Sequence, residues 1–344
     1  MSSSAIRLVK VASTALALLV AVAIPLLLGE SYYLHLLILA GINAMLAMTF
    51  VMLLRTGLIS LAIAVFWGIG AYFSMVLTVK LGWSVWLALP AAALFSGGVG
   101  LIIGYPLLKN AGFTFVMLTA VLGMLIVQVF GAIPYLGGFM GVTGVPAPDS
   151  ISIGNSLHVE FASKTSYYYL MLLVLVIVVF IYSAMYHSWA GRAWMAIGLS
   201  PSLAESIGAS VFGYRMFAFG VASATAGLAG SFYVHYIGSL EPNQFSVFKT
   251  IYVHVYAVVG GLEFAIVGPI VGTLIMTFVP EFLRVAKEIE PIFTGCLFIL
   301  VMLFLPDGVL SLLHLRRAGQ APPNLLETLK CTLQKQVSKK GTNR

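Results

Sequence analysis

The sequence predicts an all-α fold, a polytopic membrane bundle of about ten segments in which some helices are short or broken. Two observations lead there. Hydrophobic residues make up 60% of the 344 and charged residues only 8%, whereas a soluble domain carries about 25% charged residues. The apolar residues also gather in runs close to the ~20 that cross a bilayer as a helix, parted by turns marked with Gly, Pro or charge. Mean hydropathy is +1.04. The net charge of +7 does not indicate a nucleic-acid partner, because the basic residues sit in short loops and the C-terminal tail. Cys296 lies in an apolar run and Cys331 in the basic tail, and two such cysteines make neither a disulfide framework nor a metal motif.

Taken in order, residues 1–10 carry Arg7 and Lys10 and precede a first span at 11–28. That run is longer than a signal-peptide core and lacks a small-x-small cleavage site, so it reads as an uncleaved span. Glu30 and Ser31 turn the chain into a second span at about 32–54, ended by Arg55, and a third follows at 57–79, before Lys80. Trp83 and Trp86 suit the headgroup level. A fourth span runs to about 108, closed by Lys109 and Asn110, and a fifth covers 111–133. Residues 134–166 are the longest polar interval, rich in Gly and Pro, and read as an outer loop. The sixth span, 167–186, leads into a mixed loop at 189–213 that is too polar to lie in lipid. A seventh span follows at 214–237, and Glu241, Pro242 and Asn243 mark an outer turn. The apolar run 250–259 is about half the length of a spanning helix and is broken by Gly260 and Gly261. It reads as a short eighth segment, crossing or re-entrant, with a ninth span after Glu263 to 279. A charged loop at 281–290 and a tenth span at 292–305 end at Pro306-Asp307-Gly308. The membrane domain thus covers 11–313, and 314–344 form a basic soluble tail.

Orientation follows from counting. With ten crossings both termini share a side, and 13 of the 18 basic residues fall there, among them Arg7, Lys10, Arg55, Lys109, Arg192 and Arg215. Lys80, Lys164, Lys249, Arg284 and Lys287 fall on the other. The positive-inside rule puts the termini and the 189–213 loop in the cytoplasm. Within that loop, Ser200 is placed to cap a short helix with Pro201 in its first position. Ser202 and Glu205 have the spacing of an overlapping capping box, and Gly208 is placed to end the helix in a left-handed conformation. A short surface helix held between two spans is a handle for another protein.

Catalytic signatures are missing from the sequence. No Gly-Lys dipeptide occurs, so there is no phosphate-cradling P-loop, and neither an H-E-x-x-H metal motif nor a Ser/His/acid grouping stands out. No cofactor is implied. His35, His235 and His254 lie in or near spans, where an ionisable group is either functional or interfacial. Asn43 and Gln128 are the strongest polar residues within apolar spans; both are expected to face the bundle, as interhelical hydrogen-bonding groups or as pathway lining. Ser60, Thr119, Gly260 and Gly261 complete the candidate pathway set. Glu263 is expected to cap the ninth helix. Gly220, Ser223, Ala224, Gly227 and Gly230 are expected to let helices approach closely. Carriers driven by protons or sodium place carboxylates at mid-membrane, whereas here the acids fall at span boundaries. Energy is therefore expected from outside the chain, through the 189–213 loop.

Several motifs carry a family resemblance. The stretch G-L-I-S-L-A-I-A-V-F-W-G-I-G-A-Y from Gly57 to Tyr72 resembles a signature of the M-type permease subunit of branched-chain amino acid ABC importers. The segment around Gly191-Arg192-Ala193, with Ala196-Ile197, Ala204-Glu205 and Gly208, resembles that family's cytoplasmic loop. A-G-L-A-G-S-F-Y from Ala226, V-V-G-G-L from Val258, G-P-I-V-G from Gly268 and P-D-G-V from Pro306 follow in the family's order. The resemblance implies one half of a translocation pore in the bacterial inner membrane, surrounded by lipid. The partners it implies are a homologous H-type permease, two P-loop ATPases and a periplasmic or lipid-anchored binding protein. It assigns the contact with the ATPases to Gly191, Arg192, Ala196, Ile197, Ser200, Ala204, Glu205 and Gly208. The implied cargo is a branched-chain or other hydrophobic amino acid, or a related small solute such as an amide, urea or an aromatic acid. A sugar permease of the same group, a stand-alone channel and a membrane scaffold are the competing readings. Two departures stand out. Ala62-Ile63 replace the usual Gly-His, and the run Gly198–Leu203 lacks the charges that usually follow Ala-Ile. Contact with the ATPases then falls to shape and apolar area, with Arg192 and Glu205 as the remaining charges.

The topology is directly testable. A cysteine at Ser202 should resist a membrane-impermeant thiol reagent in intact cells, and one at Ser152 should label; the reverse pattern overturns the orientation.

Overall fold

The computed structural model describes residues 19–25, 32–110, 112–153, 157–159, 163–282, 295, 299, 303 and 308–311. The readings made of 1–10, of most of the first span, of the 281–290 loop beyond Phe282, of Cys296, of Pro306-Asp307, of Cys331 and of the tail lie outside them, as does most of the tenth span. Among the described residues six helices are long and apolar enough to cross a membrane. Residues 19–25 are helical (α1), and the spanning helices proper begin with α2, Tyr32–Leu54. Next come α3 (Ile63–Met75), extended by a π-turn over Val76–Lys80, then α4 (Val85–Leu108) and α5 (Phe113–Ala132). After the outer loop come α6 (Lys164–His187), the short helices α7 (Trp189–Leu199) and α8 (Pro201–Ser206), and α9 (Val211–Ile237). Helices α10 (Val247–Gly260) and α11 (Val267–Phe282) close the described bundle. At 14 residues α10 spans only about 21 Å, well short of the ~30 Å hydrocarbon core.

Burial sorts the helices. In their most apolar windows α2 is 89%, α3 78% and α9 67% buried, against 28% for both α5 and α6. A helix that is apolar on every side belongs in the centre, and α2, α3 and α9 are such helices. The outer helices turn apolar faces away from the chain, towards lipid or a partner.

Small residues hold α3, α4 and α9 together, as expected of the stripe on α9. An ideal Cβ on Gly70 would lie 2.2 Å from the Gly227 carbonyl oxygen, and one on Gly230 would lie 1.9 Å from that of Trp67. On α4, Gly97 meets Ala224, Gly100 meets Ser223 and Gly104 meets Phe219. Ser96 spans the seam by donating to the carbonyls of Phe66 (3.1 Å) and Ser223 (2.9 Å). Lipid tails are as apolar as leucine, so such packing, rather than hydrophobic exclusion, holds membrane helices together.

The outer loop is more ordered than its composition suggests. Two 3₁₀ turns, Pro134–Leu136 and Gly138–Met140, lead into β1 (Val142–Thr143), which pairs antiparallel with β4 (Ser239–Leu240) just after α9. β2 (Ile151–Ile153) and β3 (Leu157–Val159) form a separate hairpin. Trp86 Nε1 donates to the Asp149 carbonyl at 3.2 Å and Ser84 Oγ to its carboxylate at 3.2 Å, so the loop is fastened to the start of α4.

The third span departs from its expected bounds. The helix starts at Ile63, not near Gly57, because Gly57 adopts a left-handed φ of +75° that ends the preceding turn. From there the chain runs non-helically, with Leu58, Ser60 and Ala62 buried and Gly57 and Ile59 exposed.

Close packing at Gly230 makes a sharp prediction. Gly230→Ala should lower the thermal stability of the detergent-solubilised protein, by about 1–3 kcal/mol, because the new methyl meets backbone. Gly98→Ala, on α4 with open space around it, should leave stability unchanged. Equal melting of the Gly230 variant and the parent would contradict the packing described.

Candidate functional site

The first turn of α3 starts inside the protein, so its unpaired backbone N–H groups cannot turn to water. Hydroxyls of α5, α10 and the lead itself take up N–H groups at and just before this start. Leu61 N–H donates to Thr119 Oγ1 on α5 at 3.1 Å, and Ala64 N–H to Thr250 Oγ1 on α10 at 3.0 Å. Ala62 N–H donates to Ser60 Oγ at 3.2 Å. Thr119 passes its own proton to the Val116 carbonyl at 2.9 Å, so its oxygen is free to accept. Ser60 and Thr119, both expected to line a pathway, are buried at 1% and 0% exposure and cap backbone N–H groups. Thr250 went unnoticed in the sequence, where a hydroxyl in an apolar helix looks like any other.

Just before this segment the chain is tied to α7 and to the elements around it. Gly198 of α7 packs on the Arg55 carbonyl, where an added Cβ would come within 2.4 Å. Arg215, at the start of α9, donates from Nε to the Thr56 carbonyl at 3.1 Å. The Arg55 guanidinium lies 5.1 Å from the Tyr186 ring centroid and donates to the Glu263 carbonyl at 2.7 Å. Glu263 therefore meets Arg55 through its backbone; α11 begins only at Val267, so Glu263 does not cap it.

The pair itself is built from short-range signals. Ser200 accepts from the Leu203 N–H at 3.4 Å and Pro201 takes the first helical position, as the sequence predicts. Gly208 adopts φ +89°, and the bonds Gly208 N–H to Glu205 and Ala209 N–H to Ala204 close the helix. The overlapping capping box does not form: Ser202 lies inside the helix, its hydroxyl 3.3 Å from that of Ser200, which holds the cap position. The helix α7 was not foreseen; buried Trp194 anchors it by donating to the Tyr214 carbonyl at 3.0 Å.

Of the residues assigned to partner contact, Gly191, Ile197 and Ala204 are buried. A Cβ on Gly191 would sit 2.4 Å from the Tyr186 carbonyl, while Ile197 and Ala204 pack with Val211 in a small core of their own. These three hold the pair together and do not offer a surface. Arg192, Glu205 and Gly208 are exposed, and Ala196 and Ser200 are half-buried. Arg192 lies over the Trp189 ring at 4.4 Å. The sequence reading expected apolar contact area here without naming its residues: Leu199, Leu203 and Ile207 are 89%, 66% and 76% exposed. Leu203 and Ile207, four residues apart in and just after α8, were the available signal.

The other polar candidates separate. Asn43 is half-buried, with no side-chain hydrogen bond among the described residues. Gln128 does not face the bundle; it is exposed on α5 beside Met124 and Leu125, because that face of α5 has nothing of this chain to cover it. Gly260 and Gly261 make close backbone contacts. Gly260 abuts Gly268 and Gly272, and Gly261 lies against Gly308, all as backbone-to-backbone contacts. His35 pairs with the Tyr236 hydroxyl at 2.6 Å. His235 bridges Ser74 Oγ and the Pro146 carbonyl, each at 2.8 Å, and so ties α9 to α3 and to the outer loop. His254 packs on Phe50 with ring centroids 3.8 Å apart. Among the described residues no cluster of three or more His, Cys, Asp or Glu comes together. The arrangement offers surfaces and a mechanical linkage.

Comparison with known proteins bears on this arrangement. The profile of the family described as "Branched-chain amino acid transport system / permease component" matches residues 32–306. The "High-affinity branched-chain amino acid transport system permease protein LivM" of Escherichia coli (strain K12) is 25% identical over 277 residues, covering 75% of this chain and 64% of that protein. The protein of the same description from Salmonella typhimurium (strain LT2) is 24% identical over 289 residues, covering 77% and 67%. The chain thus spans about two thirds of the length of these curated relatives. No solved structure matches it. With the profile running from the first residue of α2 past the end of α11, the chain belongs to the branched-chain amino acid transport system permease family.

Proposed function

We propose that the chain is the M-type permease subunit of an ATP-driven ABC importer of the inner membrane, forming half of a pore for branched-chain or other hydrophobic amino acids. The observation that carries the proposal is the exposed apolar set Leu199, Leu203 and Ile207 on a helix pair whose Gly198 packs on Arg55, at the head of the lead into α3. An ATPase subunit seated on that set, with Arg192 and Glu205 at its margins, can push on α7–α8. Displacement of Gly198 then bears on Arg55 and, through residues 57–62, on the hydroxyl-held start of α3. Such packed contacts transmit discrete shifts because interiors do not deform continuously.

The other halves of the machine are a homologous H-type permease, against the uncovered faces of α5 and α10, two P-loop ATPases and a substrate-binding protein. The binding protein docks on the outer loop, residues 134–166, and both termini with the basic tail lie in the cytoplasm. The cargo follows the printed description of the relatives, which names branched-chain amino acid transport.

The test is uptake by the assembled transporter. Leu203→Asp and Glu205→Lys, both on the exposed side of α8, should each cut uptake of labelled leucine about tenfold or more while the chain remains inserted at normal level. Ser202→Ala should leave uptake unchanged. Full uptake by both charge variants refutes the coupling role, and uptake of pentoses or hexoses in place of leucine makes the subunit a sugar permease.

A further inference from the structure

In addition to the hydroxyl-capped start of α3, the bundle contains a group of polar atoms that nothing yet described uses. A cavity of about 220 Å³ is lined by Trp67 on α3, Tyr233 on α9, and Asn243, Gln244, Ser246, Phe248, Lys249 and Tyr252 around the start of α10. Asn243 donates to the Glu241 carboxylate at 3.1 Å, but other polar groups of the lining are unmatched. Trp67 is 2% exposed, and its indole N–H is buried without a hydrogen-bond partner. The Oε1 of Gln244 is likewise buried and unpartnered. The Lys249 ammonium lies 5.9 Å from the Trp67 ring centroid, and no carboxylate pairs with it among the described residues. A lone cation beside a lone N–H donor and a lone acceptor is an unfavourable grouping unless something completes it. The N-terminal turn of α10 adds its positive end to the same corner. Phe248 and Tyr252, 73% and 40% exposed, stand at the rim and supply an apolar wall.

We propose that this cavity is a solute subsite that holds a small zwitterion, with Lys249 and the Trp67 N–H receiving its carboxylate and Gln244 Oε1 accepting from its ammonium. The chemistry is that of an α-amino acid: one end anionic, an adjacent cationic group, and an apolar side chain to lay against Phe248 and Tyr252. Neutral sugars lack the carboxylate that the Lys249 charge calls for. The inference rests on the importer reading above and deepens it by placing a cargo contact within this chain. Lys249 is then a selecting residue of the pathway.

The experiment is uptake of labelled L-leucine into proteoliposomes holding the complete transporter, with leucinamide as the competitor that lacks the carboxylate. Lys249→Gln should reduce leucine uptake about tenfold or more, Lys249→Arg should restore most of it, and Trp67→Phe should give a smaller loss. Leucinamide should compete poorly with the parent protein. Each variant is checked for co-purification with the partner permease and ATPases. Undiminished leucine uptake by Lys249→Gln overturns the subsite while leaving the importer reading intact. Loss of the partner permease from the Lys249→Gln preparation would make Lys249 an intersubunit ion-pair residue and overturn the subsite equally. A parent complex that assembles but carries no leucine takes down the cargo assignment and the subsite with it.

Discussion

The start of α3 is the constraint on which the rest of this structure depends. A helix that begins within a membrane protein leaves backbone donors with no water to receive them, and each such donor left unpaired costs about 1–3 kcal/mol. Here the donors of Leu61, Ala62 and Ala64 are met by hydroxyls of Thr119, Ser60 and Thr250. Those hydroxyls arrive on α5, on the non-helical lead and on α10, so satisfying one helix end fixes three elements around it. The arrangement also explains why the lead can be non-helical at this depth: irregular backbone is tolerated in a membrane protein where protein surrounds it.

That junction sits between two mechanically different regions. On one side the glycine-seamed group α3, α4 and α9 brings backbones into contact at Gly70, Gly227 and Gly230, leaving little freedom to repack. On the other, residues 55–57 are held by Gly198 of α7, Arg215 of α9 and Tyr186 of α6. A rigid block joined through a buried helix start to a surface helix pair is suited to transmitting a push. The exposed set Leu199, Leu203 and Ile207 is where such a push can be applied.

Much of this was legible in the sequence, and the reasons for the rest are physical. The helix ends of α2, α4, α6 and α9 fall close to their expected places because charge, Gly and Pro mark them locally. The small-residue stripe of α9 was legible because close approach admits few residue types. The short helix of the central loop was legible from Ser200, Pro201 and Gly208, each with a local conformational role. The caps of α3 were not, since Thr119 and Thr250 act on a distant segment and carry no local mark. Gln128 was misread because a polar residue in an apolar helix was assumed to face its own chain, whereas α5 leaves that face uncovered. Gly260 and Gly261 looked like a break lining a pathway; their close contacts with Gly268, Gly272 and Gly308 become visible only when those backbones are brought together. The pairing of β1 with β4 escaped notice for the same reason, because strands of two residues have no periodicity to read.

The central claim is that other proteins drive this chain through its α7–α8 pair, and the most direct measurement is its isolation from gently solubilised membrane with the bound proteins identified. The expected result is a homologous permease together with P-loop ATPases, the ATPases lost when Leu199 and Ile207 are both changed to Asp while the permease stays bound. Recovery of the chain alone or as a homo-oligomer, or retention of the ATPases by that variant, would contradict the claim.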